Sequence, residues 1–409
     1  MISLIEGGPP QDFELSSDQV AALLASKAVR VTPGPRSGLW RVRDNGYIGA
    51  ATIGGMSVRI KPKTPIDRVL FLFGYSQSQR GWRQEEIDVG EQPDVVPALA
   101  HAFARSAERT LRQGVLQSYH TVEDSLQFVR GRIREADQVR RRYGLLLPVE
   151  VRYDEFAVDI AENQLLLAAT GRLLRLPGLT VVTRRMLRHV LSRLTGVSAL
   201  MPGRPLPRWR ATRLNARYHT ALRLAELVLS GSSCELNDGR TLRVDGLLIE
   251  MWRTFEDFVT VALSEAFHPY GGRSALQDRK HHLDHGKKVP LRPDLIRYVT
   301  APNGTEHPAA VVDVKYKIST APAGHSDDLY QALAYCTVLG LPLGHLVYAK
   351  GESKPYHHMI HRAGIGIVQH ALDLMLPPAE LLDSVNRLAG SIIRYGLDHK
   401  PVATDPQQT

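Results

Sequence analysis

A short apolar run, Ala309-Ala310-Val311-Val312, is followed at once by Asp313-Val314-Lys315-Tyr316-Lys317. Such a run, β-branched at its end, predicts a buried strand, and its polar continuation puts charge at the strand's mouth. Side chains alternate along a strand, so Asp313, Lys315 and Lys317 share one face while Val312, Val314 and Tyr316 share the other. A carboxylate and an ammonium emerging side by side there are costly to bury unless a metal or a substrate pairs them. The spacing acid-x-Lys alone says little, since Asp278-Lys280, Glu352-Lys354 and Asp398-Lys400 share it. None of those three follows an apolar strand.

Two flanking stretches add to this core. Leu291 to Thr300 reads as a strand, with Pro293 allowed near its start and Asp294 just inside it. Pro302-Asn303-Gly304 then makes a turn. Two adjacent strands bring both carboxylates to one point, the hard oxygen ligands that Mg²⁺ prefers. Downstream, Asp327 to Leu339 reads as a helix capped by Ser326 or Asp327. Its apolar stripe is Leu329, Leu333 and Cys336, and Gly340 with Pro342 ends it. Gln331 and Tyr335, four apart, stack on one face of that helix.

Asp294, Asp313-x-Lys315 and Gln331-x-x-x-Tyr335, in that order, resemble the PD-(D/E)XK nuclease superfamily, in its RecB-like branch with a Gln-x-x-x-Tyr motif. The wording Asp313-Val314-Lys315-Tyr316-Lys317 is similar to McrC-type subunits, the nuclease partners in McrBC-like restriction systems that cut DNA carrying modified cytosine. Leu247 to Glu256, Arg130-Gly131-Arg132-Ile133 and Asp159 to Asn163 resemble the same family, so the likeness spans residues 40 to 350. It implies a C-terminal restriction-endonuclease-like α/β domain that hydrolyses phosphodiester bonds in double-stranded, methylated DNA. One or two Mg²⁺ ions would be held by Asp294, Asp313 and the carbonyl of Val314, with Glu256 as the helix acid that supports them. Lys315 would orient the attacking water or stabilise the transition state, and Gln331 and Tyr335 would hold the DNA backbone or the strand end. The resemblance also implies a hexameric AAA+ GTPase of the McrB type, acting in trans and stimulated by this subunit. No Gly-x-x-x-x-Gly-Lys-Ser/Thr loop occurs in the sequence, in keeping with a motor on another chain. Two alternatives stand beside this reading: a RecB-like nuclease of repair or recombination, and a non-cleaving activator of an AAA+ partner.

The 409 residues are enough for two or three domains. The expected division is a β-rich domain over residues 1–95, a mostly helical region over 96–232 and the nuclease domain over 233–409. A formal net charge of +9 suits a polyanionic partner. No stretch of eighteen apolar residues occurs, so no membrane span and a cytoplasmic protein are expected. Cys234 and Cys336 are too few for a disulfide framework or a cysteine zinc site. Lysine is absent between Lys63 and Lys280, yet Lys280, Lys287, Lys288, Lys315 and Lys317 cluster around the proposed site. Lys287, Lys288 and Lys317 then read as contacts for the DNA backbone, and Lys280, Lys287 and Lys288 equally as a solvated loop.

In the N-terminal part, a helix over Asp18–Ser26 and strands over Leu39–Arg43, Tyr47–Ile53 and Met56–Lys61 are expected. Helices over Pro97–Leu116, Gln164–Leu174 and Tyr218–Leu229 and a strand over Leu145–Arg152 follow. Arg130, Arg132, Arg134 and Arg140 to Arg142 face either phosphates or the acids Glu135 and Asp137. A hairpin around Asn237-Asp238-Gly239 leads into one long helix over Leu247–Phe267, on which Glu256 faces either the site or Arg253. His281-His282-Leu283-Asp284-His285 reads as a hairpin tip for which zinc, phosphate contact and plain exposure are all open. A strand over Gly344–Ala349, another over Gly364–Val368 and helices over Gln369–Leu376 and Pro378–Tyr395 close the chain.

Overall fold

The computed structural model describes residues 1–77, 94–201, 204–230, 233–235, 241–243, 245–318, 326–350 and 355–398. The chain forms two compact units, one made of Met1–Ile87 with Ser233–Thr409 and the other of Asp88–Ser232.

The N-terminal segment holds strands β1 (Ile2–Ile5), β2 (Gln11–Glu14), β3 (Val29–Pro33), β4 (Leu39–Asp44), β5 (Tyr47–Ile53) and β6 (Met56–Lys61). Helix α1 (Ser17–Ser26) lies between β2 and β3. Ser16 accepts from the Gln19 peptide and Gln19 bonds back, a capping box that fixes where α1 starts. The strands expected at β4, β5 and β6 are all present, and in β6 Val58 and Ile60 are buried while Ser57 and Lys61 are exposed. A second helix, α2 (Ile66–Gln77), was not expected from the sequence. Its run Val69-Leu70-Phe71-Leu72 is buried along its whole length, so no polar stripe marks its period.

In the second unit, helices α3 (Val95–Leu111), α5 (Ala161–Arg175), α6 (Val181–Arg193) and α7 (His219–Ser230) pack together. The unit is not only helical. Strands β7 (Ser118–Leu126), β8 (Arg132–Ile133) and β9 (Val149–Ala157), with helix α4 (Glu135–Arg142), form an antiparallel sheet in the order β7-β9-β8. The polar sequence of β7 hid it, because a sheet wetted on one face keeps few apolar residues. The arginine cluster is largely ion-paired here. Arg134 meets Glu123 and Asp137, Arg140 meets Asp137 at 2.6 Å, and Arg141 and Arg142 meet Glu150 at 3.5 and 3.4 Å.

The chain then returns to the first unit. Strands β10 (Ser233–Glu235) and β11 (Thr241–Arg243) form the expected hairpin, whose Asn237-Asp238-Gly239 turn lies outside the described residues. The single long helix expected over Leu247–Phe267 is instead strand β12 (Asp245–Glu250) followed by helix α8 (Met251–Ala266). β12 pairs antiparallel with β5, giving a sheet in the order β1-β6-β5-β12. Two glycines permit that pairing. A Cβ on Gly49 (φ 119°) would stand 2.2 Å from the Leu247 carbonyl, and one on Gly246 2.3 Å from Ala51 Cα.

The remaining elements are strands β13 (Arg273–Leu276), β14 (Leu295–Thr300), β15 (Glu306–Ile318) and β16 (Leu343–Lys350), helix α9 (Ser326–Leu339), strands β17 (Tyr356–Met359) and β18 (Gly366–Ala371), and helix α10 (Pro378–Asp398). The sheet order is β13-β14-β15-β16-β18-β17, with β15, β16 and β18 parallel and the outer pairs antiparallel. Helices α8 and α10 cover one face over a core that includes Phe255, Phe258, Val312 and Val314. Helix α9 covers the other with Tyr335, Cys336 and Val311. Of the two C-terminal helices expected, Gln369–Leu376 proves to be the end of β18 and a connecting segment. The tail from Lys400 lies outside the described residues. No helix among the described residues is long and apolar enough to cross a membrane.

Candidate active site

β14 and β15 pair antiparallel with Leu295 opposite Val312, so one step further Asp294 stands opposite Asp313. The alternation expected along β15 holds: Val312 and Val314 join the α8 side, while Asp313 and Lys315 turn to the α9 side. Asp294 is 8% and Asp313 2% exposed. The Val314 peptide N–H donates to Asp294 Oδ2 at 2.7 Å and so ties the first carboxylate to the second strand.

The ammonium of Lys315 lies 2.6 Å from Asp313 Oδ2 and donates to Gln331 Oε1 at 2.8 Å. Gln331 Nε2 donates to the Tyr335 hydroxyl at 2.8 Å, and that hydroxyl donates to the Arg292 carbonyl at 3.2 Å. A continuous line of polar contacts therefore runs from β15 through one face of α9 to the segment that carries Asp294. Of the two roles set out for Gln331 and Tyr335, this geometry serves the second, holding the strand end in place.

Burial pushes the Asp294 carboxyl up to about 9, and the nearby charges of Asp313 and Glu256 add to it; the Val314 peptide and Lys315 pull the other way. Burial also raises Asp313, against the opposing pull of Lys315. Burial works against the Lys315 ammonium, but Asp313 and its neighbours outweigh it and hold its pKa above the usual value. Two acids thus share one ammonium at a depth where charge is expensive.

Asp313 Oδ2 is buried and has no aligned hydrogen bond despite its ion pair. Among the described residues, no group of three or more His, Cys, Asp or Glu is placed to hold a metal by itself. Mg²⁺ usually takes only one or two carboxylates and completes its shell with water and substrate phosphate oxygens. Two buried carboxylates brought face to face by the paired strands fit that requirement.

Glu256 is half-buried on α8, and its charge bears on both Asp294 and Tyr335. Its Oε1 accepts from Gln277 Nε2 at 2.9 Å. If Glu256 supports a metal, Glu256→Gln should raise the Mg²⁺ concentration needed for DNA cleavage, and excess Mg²⁺ should restore most of the rate. A titration that overlays the wild-type curve would remove Glu256 from the site.

Three residues of the site escaped sequence reasoning. Gln277, in the left-handed region at φ 46°, donates its peptide N–H to the Asp294 carbonyl at 2.9 Å and its side chain to Glu256. Non-glycine residues held in that conformation cluster at functional sites. Arg292 contributes only its carbonyl, to which no side-chain pattern points. Asp328, 5% exposed on α9, binds Lys317 Nζ at 2.7 Å and accepts from the Tyr348 hydroxyl at 2.9 Å. Asp328, Ala332, Tyr335, Cys336 and Leu339 are the buried residues of α9; of the stripe expected, Cys336 is among them while Leu329 and Leu333 are only half-buried.

Lys317 is thus engaged by Asp328. Lys287 and Lys288 stand exposed at the tip of the expected hairpin, where Asp284 accepts from the Lys288 and Val289 peptides. His281 there meets the Tyr298 hydroxyl at 2.8 Å, and that hydroxyl donates to Asp278.

Residues 42–349 match the family described as McrBC 5-methylcytosine restriction system component. Among solved structures, a chain of the refined half-complex from the tetradecameric assembly of Thermococcus gammatolerans McrB AAA+ hexamers with bound McrC is similar in fold. It is 16% identical, with a TM-score of 0.59 over 96% of this chain and 99% of its own. A chain of the cryo-EM structure of the Thermococcus gammatolerans McrBC complex aligns over 65% of this chain and 88% of its own, at 17% identity and a TM-score of 0.41. No curated protein matches.

Proposed function

Because the chain belongs to the family of McrBC 5-methylcytosine restriction system components, we propose that it is the McrC-type nuclease subunit of such a system. In this reading its sheet from β13 to β18 is a PD-(D/E)XK nuclease core. It hydrolyses phosphodiester bonds in methylated double-stranded DNA together with a McrB-like AAA+ GTPase hexamer that it also stimulates. The observation that carries the reading is the buried pair Asp294 and Asp313, set opposite one another on antiparallel strands with the Lys315 ammonium fixed beside them.

Asp294, Asp313 and the Val314 carbonyl would hold Mg²⁺, with Glu256 and Gln277 behind them. Bound there, the metal supplies a lowered pKa for water and neutralises charge developing on the phosphate. The chain's own residues do the rest. Asp313 and Gln331 hold the Lys315 ammonium in one place, so it meets the phosphate already oriented, and such preorganised charge costs nothing at the moment of reaction. Tyr335 fixes Gln331 against the Asp294 segment and keeps the two strands in register.

The second unit supports the partner half of the reading. Tyr143, Leu145 and Leu146 are 88%, 60% and 90% exposed. These large exposed apolar side chains lie within four positions of one another in the sequence, and exposed apolar surface is what contact with another protein uses.

The test combines the purified chain with an AAA+ GTPase encoded beside it, on methylated and unmethylated plasmid. Cleavage should require Mg²⁺, the partner with its nucleotide, and methylation, and should stop when EDTA removes the metal. An intact plasmid in the presence of a partner that hydrolyses its nucleotide would overturn the nuclease assignment and favour an activator.

A further inference from the structure

β15 loses its regular partner where the chemistry is placed. Lys315 pairs with Tyr348 of β16 and Ile318 with Lys350, so three steps on β15 oppose two on β16. Tyr316 and Lys317 fall in this bulge. Bulges re-aim side chains next to active sites, and here the backbone ladder cannot hold the strand by itself.

Side chains hold it instead. On the α9 face, Lys315 is tied to Gln331 and Lys317 to Asp328. On the opposite face, Tyr316 packs against Phe255 with ring centroids 5.6 Å apart, and Lys63 Nζ sits 4.4 Å over its ring. Lys63 follows β6 of the N-terminal sheet. Its peptide N–H donates to Glu6 Oε2 at 3.1 Å, and the Glu6 peptide N–H donates to the Lys61 carbonyl at 2.9 Å. Glu6 is 4% exposed, and its charge acts directly on the Tyr316 hydroxyl. Glu6 and the Tyr316 hydroxyl meet, with Thr64 beside them, but neither Glu6 Oε1 nor Tyr316 Oη makes a well-aligned hydrogen bond. A buried polar contact so poorly aligned is sensitive to position, and a small shift of the sheet against β15 would change what these atoms meet.

We propose that Tyr316, gripped by Glu6 and Lys63 of the N-terminal sheet, is a positioning residue that sets where the Lys315 ammonium stands. The consequence for cleavage rests on the nuclease reading above; the positioning itself does not. The N-terminal sheet thereby acts on β15 from the face opposite the one that carries Lys315 and α9. Anything that moves that sheet moves the cation.

The experiment uses the full chain and the variants Tyr316→Phe, Glu6→Gln and the double. Lysines are acylated briefly without DNA or nucleotide, and each site is read by mass spectrometry, with exposed Lys287 as internal reference. In parallel, single-turnover cleavage is measured with the AAA+ partner at saturating Mg²⁺. Labelling of Lys315 should rise relative to Lys287 in each variant, and cleavage should fall about tenfold, as for a small misplacement of a catalytic group. The Mg²⁺ requirement should not change, and the double variant should be no worse than the poorer single. Wild-type labelling of Lys315, a rise shared by all lysines, or losses that add in the double variant would each overturn the proposal. If Lys315 labelling rises but the wild-type chain cuts no DNA, the positioning stands and the nuclease reading falls.

Discussion

Asp294→Asn is expected to abolish DNA cleavage and, in the same protein, to raise the melting temperature of the metal-free chain at pH 8. The loss follows from removing one of two charged oxygen donors, worth about 4 kcal/mol of transition-state charge stabilisation, or roughly a thousandfold in rate. The gain follows from burial. The Asp294 carboxyl sits at about 9, above its ordinary 3.8, so the folded chain favours the protonated form. The stability it contributes is fully present below the unfolded value and is lost as pH rises through about 9. At pH 8 part of that cost is already felt, and a neutral amide escapes it while its oxygen still accepts from the Val314 peptide. Asp313→Asn should also abolish cleavage but should lower the melting temperature, since it leaves the Lys315 ammonium without its partner at 2.6 Å. Calorimetry with and without Mg²⁺ checks both. Cleavage by either variant at the wild-type rate would remove the pair from the chemistry.

Lys315→Ala should separate catalysis from partnership. Its ammonium, held between Asp313 and Gln331, is the fixed positive charge of the site. Loss of one such preorganised charge costs about 3 kcal/mol, a hundredfold or more in rate. The variant should bind the AAA+ partner and stimulate its nucleotide hydrolysis as the wild type does, because that partnership is proposed to use other surfaces. Loss of partner binding together with cleavage would make Lys315 a structural residue.

Much of this site could be read from the sequence because it lies on elements whose signals are local. Ala310 to Val312 is buried on both faces and so reads as an apolar run, and the turn at Pro302-Asn303-Gly304 returns β15 beside β14. Helical spacing puts Gln331 and Tyr335 on one face, and the resemblance to the Gln-x-x-x-Tyr motif is what singles them out. What escaped depends on contacts between distant segments. Leu247-Leu248-Ile249 suits a helix as well as a strand, and only its pairing with β5 decides for the strand. Gln277 matters because a left-handed backbone turns it toward Asp294 and Glu256 at once, and no periodicity encodes that. Asp328 was masked because Leu329 and Leu333 looked the more apolar neighbours of Cys336, yet Asp328 and Ala332 are the buried pair. In the second unit, β7 stayed hidden because its side chains are mostly polar.

The closing of the N-terminal sheet by β12 also sets a timetable for synthesis. The Tyr47 hydroxyl donates to Glu250 at 2.7 Å across 203 positions of sequence. A ribosome adding about 5–20 residues per second needs roughly 10–40 s to cover that interval. For that time β5 waits as an open edge, Gly49 bare, while the whole of the second unit is made and free to fold. A nascent chain in this state offers an unpaired strand to any neighbour on the same message. Slowing translation between β5 and β12 should therefore raise the aggregated fraction, whereas co-expressing the C-terminal segment in trans should not rescue chains already joined edge to edge.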